Sequence, residues 1–315
     1  MQYLDFERSI KEVDAKLAKL TVGEKALLDK NQTEVKRLNK KKNRLLELAY
    51  KNLTPWQKAQ IARHENRPHA LDYIKTIFTD FEMLCGDRNN SEDAAIIGGF
   101  AKLNGQTVMV IGTEKGHDID TRIEHNFGMA RPEGYRKAIR LMKLAEQFKI
   151  PVITLVDTAG AFPGVEAEAH GQGQAIAACI ETSLNLQVPI ISCIIGEGGS
   201  GGALALAAGN IVLMLANAIY SVISPEGCAS ILWKDFKYAK KACGILHLTA
   251  DDMLKWGIVE KVIPEPIGGA HRFPLETMRA VQSELQTQID FLKTLSTDDL
   301  LAQRHQRFLF LKKAR

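Results

Sequence analysis

The sequence predicts an α/β fold built on parallel strands, and two observations carry that prediction. Pro151 to Val156 and Pro189 to Ile195 are each an apolar strand that runs into a turn of small residues and then a helix. Two such units in the same sense make the strands parallel and put both turns at their carboxyl ends, facing one site. The second turn is also unusual in itself, because five of the seven residues from Gly196 to Gly202 are glycine. A turn of this kind before a helix leaves backbone N–H groups bare where the helix dipole is positive, a setting suited to an oxyanion or a phosphate.

The elements follow in chain order. Residues 1–52 read as a helical arm, since Val13, Leu17 and Leu20, then Val35, Leu38, Leu45 and Leu48, recur at helical spacing. The basic run Lys40-Lys41-Lys42, with Arg37 and Arg44 nearby, reads as a solvated face, with phosphate binding or docking as the alternative. Residues 53–272 form the compact domain, which Pro55 opens with a helix. Phe100 to Leu103 and Thr107 to Ile111 pair as a hairpin across Asn104-Gly105, a dipeptide that takes positive backbone angles without strain. After Pro132 a helix carries Tyr135, Ile139, Met142, Ala145 and Phe148 on one face and leads to the strand Val152 to Val156. That strand runs into Asp157-Thr158-Ala159-Gly160-Ala161-Phe162-Pro163-Gly164, and the strand Val188 to Ile195 runs into the glycine turn, with a helix expected to open at Ala203.

A third strand, Ile219 to Ile223, meets Ser224-Pro225-Glu226, which reads as N-cap, first-position proline and first-turn acid of a helix through Trp233. Thr249 caps another helix that stops at Gly257, ahead of the strand Ile258 to Ile263. Residues 273–315 form a helical tail, spaced by Leu275, Met278, Val281, Leu285, Ile289, Leu292 and Leu295.

Composition narrows the function classes. With 315 residues, 45% hydrophobic and 25% charged, the chain buries a large core and is ordinary soluble globular material. A net charge of +4 is too mild to point to nucleic acid, although it suits an acidic, phosphate-bearing substrate such as a coenzyme A ester. Cys85, Cys179, Cys193, Cys228 and Cys243 form no Cys-x-x-Cys pair, so neither a zinc site nor a disulfide framework is expected. The first ten residues carry Asp5, Glu7 and Arg8 and no apolar core of a signal peptide, so a cytoplasmic protein is expected. Gly198 to Pro225 lacks charge over a length that would cross a bilayer, but Gly209-Asn210 and Asn217 interrupt it, and it reads as a buried helix and strand.

Three known patterns overlap on the glycine turn. Gly196-x-Gly198-x-x-Gly201 matches the dinucleotide fingerprint, yet no Asp or Glu lies between Ala203 and Pro225 to hold a ribose. A phosphate-binding P-loop requires Lys and then Ser or Thr after its last glycine, where this chain has Gly202-Ala203-Leu204. Gly198-x-Ser200-x-Gly202 matches the nucleophile elbow of serine hydrolases, with His247 and His271 downstream as candidate bases. A purely structural use of the glycines, close helix-to-strand packing, accounts poorly for so dense a run. Asp157 and Glu197, at strand ends, are expected to bond loop amides rather than substrate, His271 to be packed, and Glu226 to cap its helix.

The chain resembles the alpha subunit of the bacterial acetyl-coenzyme A carboxylase carboxyltransferase over nearly its whole length. The resemblance rests on Asn126-Phe127-Gly128-Met129, Pro132-Glu133-Gly134-Tyr135-Arg136-Lys137-Ala138, Gly196 through Ala203, Tyr220 through Trp233 and Pro264 through His271. Ala159, Phe162 and His117 depart from it, standing where proline, tyrosine and arginine are usual. It implies a crotonase-like fold, with the helical arm and tail added, and a heterotetramer of two alpha and two beta chains, the beta chain carrying a zinc ribbon. It also implies transfer of a carboxyl group from carboxybiotin, borne by a separate biotin carboxyl carrier protein, to acetyl-CoA, giving malonyl-CoA for fatty acid synthesis. Gly201 and Gly202 are implied to form the oxyanion hole for biotin, within a loop that includes Gly198, Gly199 and Ser200. Gly160, Ala161 and Phe162 are the candidate substrate-lining residues. The beta chain is implied to supply a second hole, and the biotin nitrogen to act as base. ATP is expected to be used by a separate biotin carboxylase. This chain has no Ala-Met-Lys-Met for biotin attachment, no ATP loop and no zinc cluster, so no metal is expected on it. The serine hydrolase using Ser200 is the alternative.

Overall fold

The computed structural model describes residues 2–21 and 29–309. Helices α1 (Arg8–Thr21) and α2 (Asp29–Tyr50) pack on each other and bury Ile10, Val13, Leu38 and Leu46. The inward stripe of α2 steps by four from Leu38 through Lys42 and Leu46 to Tyr50; Leu38 and Leu46 are buried, the expected Leu45 is half-buried beside them, and Leu48 is exposed. Lys42 belongs to this stripe: its ammonium pairs with Asp14 at 2.6 Å, so the basic run is not wholly a solvated face. Tyr50 then donates to Glu7 Oε1 (2.7 Å), which also accepts from Arg272 Nη2 (2.7 Å), and the arm is tied to the body of the protein.

Helix α3 (Pro55–Ala62) is capped by Thr54 and Gln57, and α4 (Ala70–Ile77) leads to the edge strand β1 (Thr79–Met83). Strands β2 (Ile96–Leu103) and β3 (Gln106–Thr113) form the expected hairpin, with Asn104 and Gly105 at φ 48° and 83°. Helix α5 (Ile119–Glu124), α6 (Pro132–Gln147), β4 (Val152–Thr158), α7 (Val165–Ala169), α8 (Gln172–Asn185) and β5 (Ile190–Gly199) follow. The chain continues through α9 (Ser200–Leu204), β6 (Ile211–Leu215), β7 (Ile219–Ser221), α10 (Pro225–Trp233), α11 (Ala239–Leu246) and α12 (Ala250–Trp256). It closes with β8 (Lys261–Ile263), α13 (Pro274–Leu292) and α14 (Thr297–Leu309).

The strands form one sheet in the order β1-β2-β3-β4-β5-β6-β8, with β7 paired to β5. From β3 to β8 every pairing is parallel, as the repeated strand, turn and helix units require. Central strands β4 and β6 are buried along their whole length, which is why β6 reads as an unbroken apolar run and β4 as one broken only by Thr154 before its polar end. A Cβ on Gly98 would meet Leu141 of α6, and one on Gly112 would meet Ala70 of α4. Gly98 pairs with Ile111, the neighbour of Gly112, so α6 and α4 cover opposite faces of the sheet. Helix α13 buries Met278, Val281, Leu285, Ile289 and Leu292 against α4, β5 and β8. Leu275, on the same predicted spacing, is exposed in the first turn. Among the described residues no helix is long and apolar enough to cross a membrane.

Candidate functional site

The glycine segment is strand for longer than its composition suggested. The first half of β5 pairs with β6, Ile191 opposite Ile211 through Ile194 opposite Met214. Its second half leaves β6 and pairs with β7, Glu197 opposite Ile219 through Gly199 opposite Ser221, while Gly198 also pairs with Thr158 of β4. The helix therefore opens at Ser200 and not at Ala203, because strand partners on both sides keep the chain extended until Gly199. Close approach explains the first three glycines of this stretch. A Cβ on Gly196 would strike the Asp157 carboxylate, one on Gly199 the Ala159 carbonyl, and one on Gly198 would lie 2.7 Å from the Tyr220 ring.

Gly201 and Gly202 remain, and they lie in the first turn of α9. The N-cap is Gly199, which has no side chain to accept from that turn, so the N–H groups of Ser200, Gly201 and Gly202 receive no side-chain cap. Gly202 is buried against the other loop: a Cβ there would lie 2.7 Å from Ala161 N and from Gly160 C, and 2.9 Å from Tyr135 Oη. Gly160 and Ala161 thus meet the glycine turn, as two parallel strand ends imply. Phe162 turns away. Its N–H donates to Ala130 O (2.9 Å), Gln172 donates to its carbonyl (3.1 Å), and the Arg131 guanidinium lies over its ring at 4.8 Å.

Under these loops lies a buried charge network. Lys115, just beyond β3, donates to Asp157 Oδ1 at the end of β4 (2.8 Å) and to Glu197 Oε2 on β5 (3.0 Å). Asp157 Oδ1 also accepts the Glu197 N–H (2.8 Å), and Oδ2 accepts from His69 Nδ1 (3.1 Å). Arg63 donates to Glu197 Oε1 and to Glu226 Oε1, both at 2.7 Å. Burial alone would raise the Asp157 carboxyl, but the Lys115 ammonium and the His69 hydrogen bond outweigh it and hold it far below the usual carboxylate range. Burial opposes Glu197 likewise, and Lys115 and Arg63 keep it ionised. Asp157 takes the loop-amide role expected of it, through the Glu197 N–H, whereas the Glu197 carboxylate holds the Lys115 and Arg63 cations instead of a loop amide. Glu226, expected to cap its helix, lies in the first turn of α10 and pairs with Arg63, while Ser224 makes the cap hydrogen bond. Lys115, Arg63 and His69 were missed. For Lys115 a signal existed: it, Asp157 and Glu197 follow or end three successive parallel strands, so their side chains converge at one sheet edge.

Ser200 has the outline of a nucleophile elbow, exposed between strand and helix at φ 54°. It lacks the chemistry. His247 sits 3.6 Å from Asp252, and His271 is buried, stacked on His64 at 4.1 Å between ring centres. Among the described residues neither histidine hydrogen-bonds Ser200, so no base is placed to activate it.

This sheet and its paired loops form the crotonase-like fold expected from the sequence. Solved structures that share it include transcarboxylase 12S (TM-score 0.57, 20% identity, covering 70% of this chain and 41% of that one). The beta subunit of geranyl-CoA carboxylase from P. aeruginosa also shares it (TM-score 0.57, 16% identity, 76% of this chain and 45% of that one). At sequence level, residues 3–312 match the family model described as acetyl co-enzyme A carboxylase carboxyltransferase-like, and the chain belongs to that family. It is 54% identical to the acetyl-coenzyme A carboxylase carboxyl transferase subunit alpha of Paramagnetospirillum magneticum, over 100% of this chain and 99% of the relative. It is 53% identical to the protein of the same description from Zymomonas mobilis, over 98% of each.

Proposed function

We propose that this chain is the alpha half of a carboxyltransferase that moves a carboxyl group from carboxybiotin to acetyl-CoA, forming malonyl-CoA. The observation that carries the reading is the first turn of α9, which holds Gly201 and Gly202, receives no side-chain cap, and packs through Gly202 against Gly160 and Ala161. Biotin supplies the carboxyl group and, once that group leaves, a ureido oxygen carrying negative charge. The two N–H groups donate to that oxygen, and the start of α9 adds its positive dipole end. Ser200 contributes backbone and not its hydroxyl, while the network of Lys115, Asp157 and Glu197 fixes the strand that delivers the donors.

The remaining parts lie on other chains. The thioester oxygen of acetyl-CoA also gains charge as its methyl group loses a proton, so a second set of donors is required. We assign it to a beta subunit bearing a zinc ribbon. The biotin is borne by a carrier protein, and a biotin carboxylase uses ATP to load it. All of these are placed in the cytoplasm. Co-expression with candidate beta subunits, followed by assay of malonyl-CoA from acetyl-CoA and carboxybiotin, tests the reading. Malonyl-CoA from the complex supports it, and a complex that forms but makes none refutes it.

A further inference from the structure

The motif Asn126-Phe127-Gly128 plays no part in the reading above, yet it forms a run of three left-handed residues, longer than any other among the described residues. All three residues are left-handed, at φ 47°, 55° and 78°. For a phenylalanine such a conformation costs on the order of 1–3 kcal/mol and persists only where the surroundings impose it. They do so here. The Asn126 amide donates to Asp93 Oδ1 (3.3 Å), and Met129 N–H donates to Asn126 O (2.9 Å). Gly128 is pressed against Lys115 Cγ and Asp157 O, 2.7 and 2.9 Å from where its Cβ would be.

The result is a large aromatic ring left 51% exposed at the wall of a cleft of about 220 Å³. Two other groups line that cleft without a full set of partners. Arg122 forms no ion pair among the described residues, its Nε only reaching Gly116 O at 3.4 Å. His69 is 5% exposed; its Nδ1–H is committed to Asp157, and its Nε2 is buried with no partner among the described residues. A buried polar atom left so costs about 1–3 kcal/mol. The cleft's other cations, Lys115 and Arg63, each hold two carboxylates already. Ala159 and Glu197 line both this cleft and the narrow groove along Gly198 and Gly199, so the two are neighbours.

We propose that this cleft is a binding subsite for a planar, uncharged amide or ureido group, lying flat on Phe127, with its carbonyl oxygen toward Arg122 and its N–H toward His69 Nε2. An apolar group would leave His69 and Arg122 unsatisfied. An anion would face Glu65 and Glu197 across the same cleft. A flat group carrying an acceptor and a donor on neighbouring atoms meets all three residues at once. This inference rests on the proposed function, under which the ureido oxygen goes to the first turn of α9 and the group in this cleft is the amide that links biotin to the lysine of its carrier.

Biocytin, the amide of biotin with lysine, is the probe, titrated by calorimetry into the complex of this chain with its beta subunit. Phe127→Asn keeps a residue that tolerates the left-handed backbone while removing the ring. It should weaken biocytin binding at least about tenfold, Arg122→Ala should do the same, and Phe127→Tyr should bind as the parent does. The KM for malonyl-CoA in the reverse transfer to biocytin should stay within about twofold, since the loss is confined to one substrate. Unchanged biocytin binding in Phe127→Asn, no binding by the parent at millimolar biocytin, or an equal rise in the KM for malonyl-CoA would each overturn the proposal. A parent complex that binds biocytin but forms no malonyl-CoA refutes the proposed function and leaves the subsite standing.

Discussion

Gly201 and Gly202 are neighbours in sequence with very different surroundings. A methyl on Gly201 would sit 3.6 Å from Ile176 Cγ2, an ordinary contact, whereas one on Gly202 would push against the Gly160-Ala161 backbone. Gly201→Ala should therefore keep transfer within about tenfold of the parent, while Gly202→Ala should separate the two loops and lose about 100-fold or more in kcat, the scale of one misplaced oxyanion donor. Ser200→Ala should stay close to the parent, and a fluorophosphonate should not label Ser200; a dead, labelled serine would restore the hydrolase reading. His271 allows a separate test. Burial, with His64, Arg272 and Arg67 adding repulsion, pushes its pKa down from 6.5 to about 3, against the opposing pull of Glu265. The unfolded chain thus takes up a proton near pH 6.5 that the folded chain refuses until about pH 3. This stability is complete above pH 6.5 and falls with acid by about 1.4 kcal/mol per pH unit below it. His271→Asn should flatten the drop in Tm between about pH 6.5 and 5, and an unaltered drop would assign it to other groups. At this scale the sequence disclosed the glycines, whose density is visible in a string of letters. It hid His69 and Phe127, whose roles arise from a tautomer and a backbone angle that no local pattern specifies.

Element boundaries were legible wherever local chemistry sets them. The Asn104-Gly105 turn, the Ser224 cap with Pro225, and the Thr249 cap with the Gly257 stop all stand where they were expected. The glycine strand was not legible, since β4 and β7 impose its extended form and both are remote in sequence. Lys115 joins β4 to the glycine strand through Asp157 and Glu197, and its contribution can be separated from simple charge balance. Lys115→Met leaves two buried carboxylates facing each other and should destabilise the fold by about 3–5 kcal/mol. Lys115→Met with Glu197→Gln removes one of those charges and should recover much of the stability. If Lys115 sets the direction of the glycine strand, the double variant remains at least about 100-fold slow although folded; if it only balances charge, activity returns with stability. The tail is held by a different device. Arg304 on α14, fully buried, donates to the carbonyls of Ser183, Leu186 and Val188 and to Asn210 Oδ1, all at 2.6–2.8 Å, with no carboxylate among these partners. Burial pushes its pKa down to about 10, and Arg304→Met should cost on the order of 3 kcal/mol by stranding those acceptors, read as a fall in the urea midpoint with an unchanged slope. Nothing in the spacing of the tail's leucines announces this arginine.

For the whole molecule, the apolar positions of the arm suggest a subunit interface when read from sequence, but the structure covers the best of them within the chain. Ile10, Val13, Leu38 and Leu46 are buried between α1, α2 and the body, and Glu7 links Tyr50 to Arg272. Unsatisfied apolar surface lies elsewhere: Ile231 and Leu232 of α10, Phe236 in the turn after it and Ile245 of α11 are all more than half exposed. Helix α10 begins beside the glycine strand, with Ser221, Ser224 and Pro225 lining the groove along Gly198 and Gly199. A partner seated on α10 and α11 would therefore approach the groove that runs to Gly199, the N-cap of α9, and under the proposed function a reaction that charges two oxygens needs donors from both sides. The isolated chain should consequently make no malonyl-CoA, while the complex with its beta subunit should. Ile231→Glu with Phe236→Glu, both at exposed positions, should leave the circular dichroism of the chain unchanged but lower the mass of the complex by light scattering at micromolar concentration, with activity falling in parallel. Turnover by the isolated chain, with contaminating beta subunit excluded, would show that one set of donors suffices. A complex of full mass and full activity in the double variant would move the interface away from α10 and α11.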